Sequence, residues 1–368
     1  MLVDPAVAVG TGQGPRAPRP HTGAASPPSP LSPRRRAAAS TALYCALLVL
    51  GFGCAGAAPH VPEVHEAITV QAVSALGRPL VPAVLAPAEE RRLRRDLFAS
   101  QLRYQRAPDT VEAALGLGRC WANLGEYREA IATYTRALTD HPDDPRLLRD
   151  RGHRYLTTRQ LEPALVDLLR ARAMLERTPS AAEQGRTARA VGGRSTPLRF
   201  DVEFHLGLVQ YLLGDFEEAE RTYRSCLERS DTVAARCVAS YWLALTRLQL
   251  EPKNWAGSVP AGAVAAPPTI SDDPHCRTLA VLDGSVSPTE ALSQARSAPP
   301  GQFATIAYGV AMHCLFGGDT ESSTALLEEV LREGNWTTFV AIASEIALRE
   351  SQRSRDAARV RREGSHEG

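Results

Sequence analysis

The 34 residues from Val111 to Asp144 constrain this chain more than any other stretch. They hold two apolar helical periods, separated at Gly125 and closed by Pro142, and so predict two antiparallel helices joined by a tight turn. Gly118 and Ala130 are small where the two helices must approach, and Trp121 and Tyr134 fill the space beside them. A hairpin of this size cannot bury its apolar faces alone; it needs neighbours of the same build.

The neighbours are present. Pro145 to Thr178 keeps Gly152, Tyr155, Ala164, Leu168 and Ala171 in register, but has lost the small residue at the turn and the closing Pro. Its first helix carries the run Arg149-Asp150-Arg151-Gly152-His153-Arg154-Tyr155, heavily charged for a helix packed on both sides. Residues 179–199 break the period with Gly, Arg, Ser and Pro and read as a mobile insertion. Phe200 to Val233 then restores it with Leu206-Gly207, Gly214-Asp215-Phe216, Ala219, Tyr223 and Cys226. Ala234 to Leu250 has the spacing of a further first helix and no evident second. Residues 251–300 hold eight prolines and one short helix, announced by Ser287-Pro288-Thr289-Glu290 as in a capping box. Thr305 to Glu333 approximates another hairpin around Gly317-Gly318-Asp319. A closing helix is predicted over Thr337 to Arg349, with a frayed or disordered charged tail after it. Before the first hairpin, Pro87 to Tyr104 predicts a capping helix, with Leu93, Leu97, Phe98 and Leu102 as its apolar pairs, while Gly77-Arg78-Pro79 ends any helix over Glu63 to Leu76.

The first 60 residues contain no acid after Asp4. Residues 1–33 are rich in Pro, Gly, Ala and Ser and predict disorder. Arg34-Arg35-Arg36, the apolar run Ala37 to Phe52 and the small residues from Gly53 to Ala58 follow in the order of an export signal. Sixteen apolar-run residues are fewer than the roughly 20 that span a bilayer. Lipidation at Cys54, cleavage near Ala58 and a retained anchor all remain open. The long segment ahead of the arginines would be shortened by a start nearer them, though the sequence has no Met there.

These blocks resemble the tetratricopeptide repeat (TPR) superfamily. The charged second hairpin, the stretch FHLGLVQYLLGDFEEAERTYRSCL and the terminal YGVAMHCLFGGDTESSTALLEEVL are similar to exported bacterial TPR proteins of unassigned function and to TPR lipoproteins of the cell envelope. The resemblance implies an all-α fold, a TPR-type helical-hairpin solenoid with irregular insertions and capping helices. The corresponding divisions are a leader (1–33), an export segment (34–58), N-terminal capping helices (59–110) and a solenoid (111–250). The solenoid comprises 111–144, 145–178, 200–233 and a partial unit over 234–250. A Pro-rich connection (251–300), a degenerate repeat with a capping helix (301–350) and a charged tail (351–368) follow. The implied role is scaffolding of envelope proteins.

No catalytic constellation is present: no Gly-rich phosphate loop, GxSxG, HExxH or paired CxxC. Nine scattered histidines suggest no metal site, and neither cofactor nor metal is expected. The formal charge of +1 gives no case for nucleic acid. Of the five cysteines after the signal, Cys226 and Cys237 are near enough in sequence to consider bridging, although buried free cysteine is a common core residue.

What remains is the groove lined by the first helices. In TPR units the implied inward positions are Glu112, Leu115, Arg119, Ala122 and Asn123, then Arg146, Arg149, His153, Leu156 and Thr157, then Asp201, Phe204, Leu208, Tyr211 and Leu212. The surface grades from basic to apolar. It fits a peptide or partner helix with acidic groups toward Arg119, Asn123, Arg146, Arg149 and His153, and an apolar anchor near Phe204 and Tyr211. The same arginines equally suit ion pairs between neighbouring repeats. The chaperone-binding carboxylate clamp is not matched, because Leu115 and Arg119 stand where it needs Lys and Asn. The expected function is a non-enzymatic protein-binding scaffold, exported to the cell envelope or periplasm. Its membrane contact would be through the N-terminal segment or a lipid only. The alternatives are an accessory subunit of a cell-wall or secretion machine and, less favoured, an enzyme with an unrecognised site.

Overall fold

The computed structural model describes residues 69–177, 196–254, 258–261, 273–298, 301–332 and 335–364. The predicted leader, the export segment with Cys54, and residues 178–195 of the predicted insertion lie outside the described residues. So do 262–272 of the Pro-rich connection and the last four residues of the tail.

The first described residues correct one expectation. From Thr69 onward there is no helix up to Leu76. Instead β1 (Ala72–Val73) pairs antiparallel with β2 (Pro79–Leu80), Ala72 opposite Leu80. Gln71 and Ser74 extend the ladder by donating N–H to the carbonyls of Leu80 and Arg78, each at 2.8 Å. Gly77, at φ +79°, lets the chain turn back. The strand pairing leaves Val73 exposed between buried Ala72 and Ser74, side chains on opposite faces as in a strand.

Thirteen helices occupy most of the remaining described residues. Helix α1 (Pro87–Arg106) begins with Pro87 and two first-turn acids and buries Leu93 and Leu97. Phe98 and Leu102, the other expected pair, lie on its outer side, with Phe98 62% exposed. Three hairpins follow: α2 (Val111–Asn123) with α3 (Tyr127–Asp140), α4 (Pro145–Thr157) with α5 (Leu161–Arg177), and α6 (Leu198–Leu213) with α7 (Phe216–Glu228). Asp144 caps α4, accepting from the backbone N–H groups of Arg146 and Leu147 at 2.9 and 3.3 Å ahead of Pro145. In the first and third hairpins a glycine lies face to face with a tyrosine ring: a Cβ added at Gly118 would overlap Tyr134, and one at Gly207 would reach Tyr223 at 2.9 Å.

The turns are left-handed at Gly125 (φ +83°) and Gly214 (φ +86°). In the second hairpin Arg159 holds the equivalent conformation at φ +64°, the one non-glycine residue to do so among those described. A left-handed residue with a Cβ is strained by about 1–2 kcal/mol.

Helix α8 (Val233–Leu250) was expected without a partner; it has one. Its second helix is α9 (Pro274–Leu282), inside the Pro-rich stretch, where Asp273 accepts from the backbone of His275 at 2.8 Å and Pro274 opens the helix. Cys237 of α8 and Cys276 of α9 form a disulfide, their Cα atoms 5.4 Å apart. Cys226 is therefore not the partner of Cys237. It is a buried thiol pointing at the Phe200 carbonyl of α6.

Helix α10 (Pro288–Arg296) starts where Ser287 accepts from Glu290 N–H at 3.2 Å. It packs on α11 (Gln302–Phe316), which pairs with α12 (Thr320–Arg332) across Gly318. Helix α13 (Phe339–Gly364) closes the fold and runs 26 residues, past the expected end at Arg349. The tail consists largely of helix-favouring Arg, Glu, Gln and Ala, and Arg353 bridges back to Glu350 at 3.1 Å, so the turns propagate into solvent. One apolar core runs from Leu156 to Leu348, with Trp242, Tyr241 and Tyr308 nearly inaccessible at its centre.

Candidate functional site

The inner face of α2, α4 and α6 carries the expected residues, but most of its charge is spent between repeats. Arg119 Nε lies 2.8 Å from Asp150. Arg146 meets Glu112 at 2.9 Å and its own cap Asp144 at 2.8 Å. Arg149 is buried between Asp150, at 2.6 Å, and Asp201 of the next repeat. Burial opposes its charge, but Asp201 and Asp150 outweigh burial and hold its pKa above the ordinary range. On the other side of α4, Arg151 grips Asp167 of α5 with two bonds of 2.7 Å. The pairs of Arg119 with Asp150, Arg146 with Glu112 and Arg149 with Asp201 register each hairpin on its neighbour, since a forked guanidinium and a carboxylate fix orientation as well as distance.

The apolar end of the groove is covered by the chain itself. Phe204 is 3% exposed. Phe339, at the start of α13, lies with its ring 6.0 Å from Phe204, 5.5 Å from His205 and 5.6 Å from His153. The two imidazoles are 4.4 Å apart. Burial drives both below the ordinary histidine range, helped by the nearby Arg149 and Arg154, and His205 falls to about 3. The pair is therefore neutral at physiological pH, and His205 Nδ1 lies 2.6 Å from the Asp201 carbonyl.

A second set of contacts pins the first turns of α13 and the segment before it. Arg159 binds Glu345 through Nη2 and Nε at 2.6 and 3.1 Å, and its Nη2 also donates to the Trp336 carbonyl at 2.8 Å. The guanidinium lies 5.4 Å from the Trp336 ring centroid. That indole donates to the Val81 carbonyl at 2.7 Å and meets Tyr127 edge-on at 5.5 Å. Glu345 also accepts the Ala75 N–H at 3.0 Å. Sequence inspection missed Arg159, Trp336 and Glu345. The one available signal was an arginine standing where the other hairpins place glycine.

Two clefts flank the covered stretch. The first, about 400 Å³, lies between α1, the α2–α3 turn, α4 and Thr337; Asn123, Tyr127, His153 and Arg154 line it. The second, about 450 Å³ and mainly apolar, lies between α6, α11, α12 and α13. There Tyr211 and Tyr308 share a hydroxyl hydrogen bond of 2.9 Å, and Gln249 donates to Tyr211 at 3.2 Å. Of the residues expected to meet a partner, Asn123 and His153 thus line one cleft and Tyr211 the other. Arg119, Arg146 and Arg149 are engaged in ion pairs, and Phe204 lies under Phe339. Among the described residues, no group of three or more His, Cys, Asp or Glu is placed to hold a metal ion, and no helix is long and apolar enough to cross a membrane.

Comparison with known proteins agrees with the repeats. Residues 94–145 and 201–231 match tetratricopeptide repeat family models. No curated protein matches. Among solved structures, a tetratricopeptide repeat protein from Parabacteroides merdae ATCC 43184 is 16% identical, with a TM-score of 0.40 over 72% of this chain and 94% of its own. BtubC (BKLC) from P. vanneervenii is 14% identical, with a TM-score of 0.37 over 68% of this chain and 91% of its own. One family match spans α1 to α3 and the other lies on α6 and α7, and both hairpins show the same glycine turn and glycine-on-tyrosine packing: the chain carries tetratricopeptide repeats at these two stretches.

Proposed function

We propose that this protein is a non-enzymatic scaffold whose concave face takes a peptide or helix of a partner protein at the first and second repeats. The observation that carries the proposal is the open polar cleft beside Asn123 and His153, next to a groove stretch already covered by α13. Tetratricopeptide repeats indicate protein–protein interaction, and a helix lying in the third-repeat groove occupies the position a partner helix would take. A photo-crosslinker in place of Asn123, used in the native cell and followed by mass spectrometry, should yield a discrete protein adduct. Adducts that form at exposed Val166 on α5 and not at Asn123 would sink the proposal.

We further propose export to the cell envelope. The basic cluster Arg34-Arg35-Arg36 ahead of the apolar run supports it, and so does the Cys237–Cys276 disulfide, a bond that persists in oxidising compartments. Cell fractionation with thiol alkylation before any reductant tests this. A cytosolic fraction with Cys237 and Cys276 both alkylated would refute it.

A further inference from the structure

The inner-face arginines differ in one respect. Arg119, Arg149 and Arg159 each have a carboxylate within ion-pair distance, whereas Arg154 has none among the described residues. Its guanidinium lies 5.4 Å from the Tyr127 ring centroid, at the wall of the 400 Å³ cleft. Burial disfavours its charge and pulls its pKa below the ordinary arginine value, and Tyr134, Tyr127 and Asp150 oppose that only in part. Beside it, the His153 imidazole is neutral and makes ring contacts with His205 and Phe339. At the rim, Arg92 and Glu89 are both more than half exposed and pair with each other at 3.6 Å. An unpaired cation facing a cleft is costly unless a counter-charge arrives, and a planar guanidinium fork matches a carboxylate with two parallel bonds.

We infer that Arg154 is a carboxylate receptor: the cleft between α1, α4 and Thr337 binds one carboxylate of a partner peptide on the Arg154 guanidinium, with Tyr127 behind it. A single carboxylate fits better than a dianion, because Arg154 supplies one uncompensated charge and Glu89 at the rim repels a second. This rests on the proposed partner groove and names the chemistry recognised there.

Calorimetric titration of the full chain tests it with succinamate, which carries one carboxylate, with Ac-Gly-Asp-Gly-NH2, with Ac-Gly-Gly-Gly-OH and with succinamide as the neutral control. Saturable binding of the carboxylates and none of succinamide is expected. The two peptides tell whether a side chain or a chain terminus is the better source. Arg154→Gln should weaken binding about tenfold or more, and Arg154→Lys less, the loss expected for a charge-assisted hydrogen bond. Thermal melting of both variants confirms that they fold. Equal binding of succinamide to the unaltered chain, stronger binding of inorganic phosphate than of any carboxylate, or undiminished binding to folded Arg154→Gln would overturn the inference. If no carboxylate binds while the Asn123 crosslink still captures a partner, the inference fails and the groove proposal stands. If carboxylates bind through Arg154 while cellular adducts map elsewhere, the receptor stands and the groove proposal fails.

Discussion

Arg159 and Glu345, 186 residues apart, form a two-pronged ion pair of 2.6 and 3.1 Å in which the arginine is 9% and the glutamate 3% exposed. The arginine makes this contact from a left-handed backbone that glycine adopts in the neighbouring hairpins. Local strain and a long-range tie are thus located in one residue.

Replacing Arg159 separates the two effects. Arg159→Gly relieves about 1 kcal/mol of backbone strain but leaves Glu345 buried without its cation, which costs about 3–5 kcal/mol. A net loss of about 2–4 kcal/mol in urea denaturation is expected, with faster amide exchange over 339–350. A gain in stability would show that the strain outweighs the clasp.

The histidine pair makes stability fall in acid. His205 is held at about 3 in the folded chain, chiefly by burial, and His153 is also pushed well down. In the unfolded chain both titrate near 6.5. The unfolded state therefore takes up protons first, and stability is lost as pH falls below that value. His205→Phe should flatten the dependence between pH 6.5 and 5 by about 1.4 kcal/mol per pH unit relative to the unaltered chain, one proton's worth. Parallel slopes for the two proteins would exclude His205 as the source.

Gly116 and Gly118 of α2 should respond oppositely to alanine. At Gly118 the new methyl meets the buried Tyr134 ring, so overpacking by about 1–3 kcal/mol is expected. At Gly116 the nearest neighbour is Ser100 Oγ at 3.4 Å, and the helix gains about 0.5–1 kcal/mol from reduced chain entropy. Melting temperatures of the two variants check the ordering.

The Cys237–Cys276 bond closes a loop across 39 residues of separation. By loop entropy its removal costs about 3–4 kcal/mol. Double replacement by Ser, followed in guanidinium, should show that loss. Intact mass after alkylation, with and without reductant, should differ by two alkyl groups, and no difference would mean no bond.

Much of the scaffold was legible because its determinants are local. Gly118 against Tyr134, Gly207 against Tyr223, the Asp144-Pro145 start of α4 and the Ser287-Pro288 start of α10 lie within one hairpin or one cap. Asp273-Pro274 is the same cap signal, and was overlooked because proline density nearby masked a nine-residue helix. The site was less legible for a different reason. Whether Arg119 and Arg149 face solvent or a carboxylate depends on Asp150 and Asp201, and spacing alone leaves both outcomes open. Phe204 has the pattern of an open apolar anchor, and nothing local records that Phe339, 135 positions later, lies on it.

A linear array of helical pairs holds each unit only through its neighbours, so it can fray from either end without disturbing the middle. Here the backbone of Ala75 and the carbonyl of Val81 are bonded to Glu345 and Trp336. The earliest and latest described units therefore share free energy directly. Among the described residues neither end of the repeat array is free to unzip alone, and the repeats are expected to melt as one transition where an untied array of equal length would come apart in stages.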